Sequence, residues 1–398
     1  MRVGVLGATG LIGSAVVAHL LSEGHEVLGW ARSTEAAARG QSAARWRALD
    51  MSRLSTADAW RPHLAGLDAV VNCAGLLQDA PGERVEAVHT TAIAALAQAC
   101  EESGVRRFIQ VSAIGLDTET PTAFSRTKRV GDAALMARDV EWVVLRPSVV
   151  VGRQAYGGSA LFRALATLPV LPVVKDTGPL DIVALDDVAA TVAFFLRPDA
   201  PCRVVLDLAG PEHLSFLDVV QAYRAWLGWP QARTVAISAS FGGLLFRLGD
   251  AAGLLGWRPP VRSTILKEIR RGAAGDPGPW QAMTGIVPQS LATTLSAEPA
   301  GVQERWFAVL YLLKPVVLAT LSLFWIITGL IALGPAFSAG LAILQDAGAG
   351  PLEAPVGIVA ALADVAIGVG IAWRRTSRLA LWAGIALFSG VVFFQLVN

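Results

Sequence analysis

The reading of the fold turns on Arg2-Val3-Gly4-Val5-Leu6-Gly7-Ala8-Thr9-Gly10-Leu11-Ile12-Gly13. Arg2 to Leu6 is a short apolar run, the pattern of a parallel strand buried on both faces. Ser14 to Glu23 then reads as a helix, with Ala15, Val16, Ala18, His19, Leu20 and Leu21 on its inner face. Three glycines occupy the junction. Gly7 permits a tight turn, Gly10 lets the backbone approach a pyrophosphate, and Gly13 lets helix and strand pack closely. Free N–H groups and the positive end of the helix dipole then face the phosphates. The spacing is GxxGxxG, not the simpler GxGxxG. Its position between a first strand and a first helix, with a second strand at Glu26 to Trp30, gives it weight.

Composition adds a second half. At 398 residues the chain is too long for one ordinary domain. Hydrophobic residues make up 54% and the mean hydropathy is +0.51, high for a protein that meets only water. The net charge of +1 points to no nucleic-acid partner. Cys73, Cys100 and Cys202 lie far apart, with no metal-ligand spacing and no disulfide framework, as in a reducing compartment. The first strand begins at once, so no signal peptide is expected.

The apolar excess gathers at the C-terminus. Pro315 to Leu333 is uncharged and long enough to span a bilayer as a helix. Ala354 to Trp373 is similar except for Asp364, and Leu379 to Val397 is again uncharged. Ala336 to Leu344 is too short to cross and reads as re-entrant or interfacial. Arg305 and Lys314 precede the first span; Arg374, Arg375 and Arg378 fill the loop between the second and third. The loop from Gly334 to Glu353 has no Lys or Arg. Three spans then place the N-terminal part in the cytoplasm and Asn398 outside, a multi-pass protein of the inner (cytoplasmic) membrane. Asp364 lies mid-span, where a charge is costly. It reads either as a neutral acid paired with Thr320, Ser322 or Thr328, or as a proton- or quinone-related site.

The N-terminal part has a legible order. Ala69 to Gly75 is a strand ending in a small-residue loop, Val85 to Glu101 a helix, Arg107 to Ser112 a strand, Thr122 to Met136 a helix and Trp142 to Leu145 a strand. This alternation predicts an α/β fold with a doubly wound parallel Rossmann sheet. From about Val151 the pattern breaks into proline-rich stretches such as Leu168-Pro169-Val170-Leu171-Pro172, expected to form a small substrate lid. Asp181 to Leu196 reads as a short strand, an Asp186-Asp187 cap and a helix. Ser263 to Leu295 reads as a polar approach to the membrane. The division is residues 1–300 for the dinucleotide-binding domain and 301–398 for an α-helical transmembrane domain.

Gly7-Ala8-Thr9-Gly10-Leu11-Ile12-Gly13, Asn72-Cys73-Ala74-Gly75, Val111-Ser112-Ala113, Lys128 and Leu145-Arg146-Pro147-Ser148 together resemble the atypical, extended short-chain dehydrogenase/reductases. Within these the likeness is to the nucleotide-sugar-epimerase, NmrA-like and complex I accessory-subunit (NDUFA-nine-type) branch. The tail from about Val302 is similar to DoxX-like membrane domains, which usually have four helices; with three spans and a short piece, a further helix is expected to be missing. The resemblance implies that Gly7, Thr9, Gly10, Leu11, Ile12, Gly13, Asp50, Ala74, Gly75, Lys128 and Pro147 contact an NAD(P) cofactor. It also implies catalysis by Ser, Tyr and Lys, the last two one helical turn apart. Here Ser112 and Lys128 stand in place, with catalytic or only structural roles, and Phe124 replaces the tyrosine. Tyr156 either supplies a displaced hydroxyl or packs as an aromatic. His89 reads as a helix-interior residue with no partner pattern for a metal or a triad.

Cofactor choice turns on Gly29-Trp30-Ala31-Arg32-Ser33, which ends the second strand with no acid to hold a 2′-OH. Arg32 suits a 2′-phosphate, or is a solvated loop arginine; NADP is expected, with NAD possible. Three functions follow. One is a membrane-anchored NAD(P)-dependent oxidoreductase acting on a small-molecule or lipid-like substrate. The second is a non-catalytic NADP-binding scaffold or sensor of a membrane protein complex. The third is nicotinamide-to-quinone electron transfer, for which no flavin, haem or iron–sulfur ligand set is visible. The expected partners are the lipid bilayer and a lipophilic substrate, without nucleic acid or metal.

Overall fold

The computed structural model describes residues 1–117, 122–173, 176–346 and 350–397. The chain forms two compact units, Met1–Arg247 with Pro260–Arg305, and Leu248–Pro259 with Trp306–Asn398. The first unit opens β1 (Arg2–Leu6), α1 (Leu11–Ser22), β2 (Glu26–Ala31), α2 (Glu35–Gly40), β3 (Arg45–Ala48) and α3 (Ala57–Leu64). It continues β4 (Ala69–Asn72), α4 (Ala92–Ser103), β5 (Arg107–Val111), α5 (Ala123–Met136) and β6 (Glu141–Pro147). The seven-stranded sheet runs Val204–Leu208, β6, β5, β4, β1, β2, β3, and each neighbouring pair is parallel. Strand order reverses between β1 and β4. In open parallel sheets such a reversal leaves a crevice at the carboxyl ends, where ligands bind.

Alternate residues of each strand feed a core on each face. Val3, Val5, Val71, Ile109 and Leu145 pack on one side with Val16, Val17 and Leu20 of α1. Leu6, Val70, Phe108 and Val144 pack on the other with Trp60, Leu64 and Leu96. Each such aliphatic side chain, fully buried, stabilises by about 1.5–3 kcal/mol.

The structure departs from the sequence reading at four places. The helix from Val85 is interrupted by a π-turn, Ala87–Thr91, before α4 begins. Such insertions gather at functional sites. Val204–Leu208 returns to the main sheet beside β6, so the alternation resumes after the lid. Asp186 and Asp187 lie in the first turn of the helix Leu185–Leu196, not at its cap, which is Ala184. The segment from Ser263, expected as a polar approach to the membrane, belongs to the first unit. It folds as the helices Ser263–Arg271, Gly278–Thr284 and Leu291–Ala297, with Trp280 fully buried in the core and its indole N–H on Thr191 Oγ1 at 3.0 Å.

The segment expected to form a lid holds short parallel pairs, Val150–Val151 with Val183–Ala184 and Val170–Val173 with Arg233–Ala236. The helices Gly157–Ala166 and Phe216–Trp226 close over one another, with the Arg163 guanidinium 4.9 Å from the Trp226 ring.

The second unit holds the helices Val302–Leu333, Phe337–Asp346, Glu353–Ala372 and Ser377–Val397. Among the described residues, Val302–Leu333 and Gly350–Ala372 are long and apolar enough to cross a membrane. Only 11% and 22% of their most apolar stretches are buried, whereas core helices of a soluble protein would be mostly covered. Phe337–Asp346 has 10 residues, too few to cross. Ser322 donates its hydroxyl to the Gly368 carbonyl at 2.8 Å, so this expected partner of Asp364 is committed elsewhere. Asn398 lies outside the described residues.

Candidate functional site

The glycine turn has the geometry its spacing implies. Gly7 has φ +67°, and a Cβ there would lie 2.8 Å from the Ala74 backbone. A Cβ on Gly13 would lie 2.2 Å from the Gly7 carbonyl oxygen. Gly10 is different: its nearest neighbour would be Gly7 O at 3.2 Å, so its open side faces outward. Gly10 also caps α1 with no side-chain hydrogen bond, which leaves the first N–H groups of the helix for a ligand. Exposed Thr9 and half-buried Leu11 and Ile12 complete the cradle. Asn72 braces its far wall: its amide donates to Gln110 Oε1 at 2.9 Å, and its carbonyl oxygen accepts from Ala74 N–H at 3.1 Å. Ala74 and Gly75 are thereby held beside Gly7. These residues fit a dinucleotide pyrophosphate.

Arg32 follows the last residue of β2 and is ion-paired with Glu83. Leu49 N–H donates to the Ala31 carbonyl at 2.9 Å, which draws Asp50 to the same end of the sheet. The Asp50 carboxylate caps the turn Met51–Arg53, accepting from Ser52 Oγ at 2.7 Å and Ser52 N–H at 3.2 Å.

On α5, Phe124, Lys128 and Asp132 recur every fourth residue and so share a face. Lys128 Nζ donates to the Val111 carbonyl at 2.8 Å, and a Cβ on Gly75 would lie 3.5 Å from Nζ. Ser112 Oγ donates to Asp132 Oδ2 at 2.5 Å; Arg146 Nε lies 3.9 Å from the same oxygen and also pairs with Asp117. Burial depresses the Lys128 ammonium below its usual range, against the pull of Asp132 and Cys73. Burial raises the Asp132 carboxyl, against the hydrogen bond from Ser112 and the charges of Lys128 and Arg146.

His89 lies within the helical run, as expected, and the π-turn Ala87–Thr91 aims its ring into this site. Its Nε2 accepts from Leu76 N–H at 3.0 Å, so its Nδ1 carries the proton and donates to Thr127 Oγ1 at 2.9 Å. Its ring meets Phe124 edge-on at 5.7 Å. Burial, with the neighbouring Lys128 charge, pushes its pKa down to about 2, so the imidazole is neutral.

A cavity of about 250 Å³ adjoins this face, walled by Phe124, Pro147, Ala113, Leu161 and Phe162, with Ile265 and Ile269 of the helix Ser263–Arg271. Its charged members are Glu268 and Arg271, paired at 2.9 Å, and Glu268 also accepts from Thr122 Oγ1. Tyr156 is 60% exposed and outside the lining. No site role was expected for Asp132, Arg146, His89, Glu268 or Arg271; Arg146 lies in the quoted stretch Leu145-Arg146-Pro147-Ser148, and Asp132 stands one turn beyond Lys128.

Comparison with known proteins agrees with this geometry. The profile of the NAD(P)H-binding family matches residues 7–166, and that of the DoxX-like family matches residues 322–395. The ceramide reductase of Caulobacter vibrioides is 28% identical over 200 residues, 49% of this chain and 61% of that protein. The chain thus spans less than two thirds of that relative's length. The mouse mitochondrial NADH dehydrogenase (ubiquinone) 1 alpha subcomplex subunit 9 is 30% identical over 159 residues, 38% of this chain and 41% of its own. In fold, the triphenylmethane reductase of Citrobacter superposes with a TM-score of 0.59 at 16% identity, covering 75% of this chain and 99% of that one. The Bordetella bronchiseptica enzyme WbmG in complex with NAD gives 0.58 at 19%, covering 75% and 92%. The chain carries an NAD(P)-binding Rossmann domain followed by a C-terminal DoxX-like domain.

Proposed function

We propose that the protein is a membrane-anchored, NADP-preferring oxidoreductase that reduces a carbonyl on a lipophilic substrate. The observation that carries this reading is the apolar cavity walled by Phe124 and Pro147, next to the buried Ser112–Lys128–Asp132 face. Bound NADPH supplies the hydride. Lys128 fixes the cofactor ribose, and the glycine cradle holds its phosphates. Hydride addition to a carbonyl leaves an alkoxide, which needs one proton. Phe124 has none to give. Ser112 gives it when Asp132 is the neutral acid: the carboxyl proton passes to Ser112 Oγ along their short hydrogen bond as the hydroxyl proton passes to the alkoxide, and the Asp132 carboxylate left behind takes up a proton from solvent before the next turnover. The likeness to a ceramide reductase supports a lipid as the substrate class.

The test is NADPH oxidation by the full-length protein in vesicles, with and without a lipid extract. Lipid-dependent oxidation that Lys128→Ala removes supports the enzyme. Tight NADPH binding without oxidation supports the second reading, a non-catalytic binding module, which Phe124 favours and which the likeness to a complex I subunit makes concrete. For the membrane, we read three spans with the Rossmann domain and Arg374–Arg378 on the cytoplasmic side. Reporter fusions at Asp346 and Ser377 then give opposite signals; the same signal at both overturns this topology.

A further inference from the structure

The helix Ala239–Leu254 is built inside out. Its small residues Gly242 and Gly253 are buried with Phe246, while its leucines face away. Leu248 is 59% exposed and Leu254 80%, and Leu244, Leu245 and Leu255 are exposed with them. Leu244, Leu248, Ala251 and Leu255 fall at intervals of four, three and four, which is one continuous helical face. Single exposed leucines are ordinary. A contiguous stripe of them marks an interaction surface.

The tether of this segment says what covers it. From Leu248 to Pro259 the chain belongs to the unit of apolar helices. Trp257 Nε1 donates to the Ala372 carbonyl at 2.7 Å. Arg374 donates through its backbone N–H to the Leu255 carbonyl and through its guanidinium to the Gly256 carbonyl, each at 3.1 Å. Ala372 is the last residue of the membrane-length helix Glu353–Ala372, and Arg374, Arg375 and Arg378 follow it. The segment is therefore pinned where the apolar span ends and cationic side chains begin, the level that tryptophan and arginine favour at a bilayer surface.

We propose that residues 248–257 form an interfacial anchor. Leu248 and Leu255 enter the acyl boundary, and the three arginines after Ala372 meet anionic headgroups. This rests on Glu353–Ala372 spanning the membrane, which the test reads separately.

The full-length protein is reconstituted in phosphatidylethanolamine–phosphatidylglycerol vesicles. Leu248→Cys, Leu255→Cys, Arg247→Cys and Val359→Cys variants each carry an NBD fluorophore, and the parent protein, with its native cysteines, supplies the labelling blank. Labels at 248 and 255 lose about half or more of their fluorescence to shallow doxyl lipids and resist aqueous iodide. The label at 247 shows the reverse. Iodide quenching at 248 and 255 equal to that at 247 overturns the anchor. So does protection from both quenchers, which would mean that a second copy or another protein covers the face. The label at 359, on an exposed position of the span, reports separately: deep doxyl quenching there with none at 248 leaves the span and removes the anchor, and no deep quenching at 359 removes the span itself.

Discussion

Ser112 and Asp132 share a 2.5 Å hydrogen bond at the end of β5, and Asp132 stands one turn beyond Lys128 on α5. Phe124 stands one turn before Lys128 and walls the cavity. A hydroxyl on that ring would enter the space a carbonyl must occupy. Phe124→Tyr is expected to raise NADPH-dependent ketone reduction, since a placed general acid is worth about a hundred- to ten-thousand-fold. Asp132→Asn is expected to lower the wild-type rate and shift its pH profile, because Ser112 loses its proton source. Phe124→Tyr in the Asp132→Asn background should recover turnover. Silence of every variant across carbonyl substrates, with NADPH still bound, would make the chain a binding module.

The glycines separate folding from binding. Gly13→Ala places a Cβ 2.2 Å from the Gly7 carbonyl, which forces α1 off the turn. Both the melting temperature without cofactor and cofactor affinity should fall. In Gly10→Val the Cβ meets one protein atom, the Gly7 carbonyl oxygen at 3.2 Å, so the cofactor-free melting temperature should fall less than in Gly13→Ala. The stabilisation by added NADPH, which follows mass action, should vanish. Retained NADPH stabilisation in Gly10→Val would mean that the phosphates lie elsewhere.

Arg32 is engaged by Glu83 before any 2′-phosphate arrives. An incoming phosphate must displace that carboxylate or share the guanidinium with it. Binding titrations should show NADPH tighter than NADH. Arg32→Ala should narrow the gap by about 1.5–3 kcal/mol, the worth of a hydrogen bond to a charged group. Glu83→Gln should widen it. Equal affinities in the wild type would remove the NADP preference, and an unchanged ratio in Glu83→Gln would show that the pair does not compete.

What could be read from the residues follows from the reach of each signal. The glycine turn was legible because positive φ at Gly7 and the close approach at Gly13 are local demands on residue type. Lys128 and Phe124 were picked out by the family resemblance, and they stand one turn apart in a single helix. His89 was not. Helical periodicity joins Val85 to Glu101 without a break, and the π-turn at Ala87–Thr91 turns His89 toward Leu76 and Thr127. Trp280 sits in a glycine-rich run, and its burial depends on Thr191, 89 residues away. Glu83 reaches Arg32 across 51 residues of sequence. Contacts of that range leave no pattern in a single sequence.

The neutral His89 sets a direction for stability against pH. Its pKa is lowered from 6.5 to about 2 in the fold, so between those values the unfolded chain takes up a proton that the folded chain refuses. The stability His89 allows is complete above its unfolded pKa and declines as pH falls below it. The slope approaches about 1.4 kcal/mol per pH unit. Lys128, also depressed, gains stability as pH rises from its folded pKa toward 10.5, the same sign as His89. Asp132 runs the other way: its raised pKa favours the fold as pH falls. The informative comparison is therefore between variants. His89→Gln keeps an acceptor for Leu76 N–H, loses the donor to Thr127 and has no proton to gain. It should cost about 1–3 kcal/mol at about pH 7.5, and its melting temperature should fall less than that of the wild type on going to about pH 5.5. Parallel acid slopes in the two proteins would show that His89 is protonated in the fold, which would break its bond from Leu76 N–H.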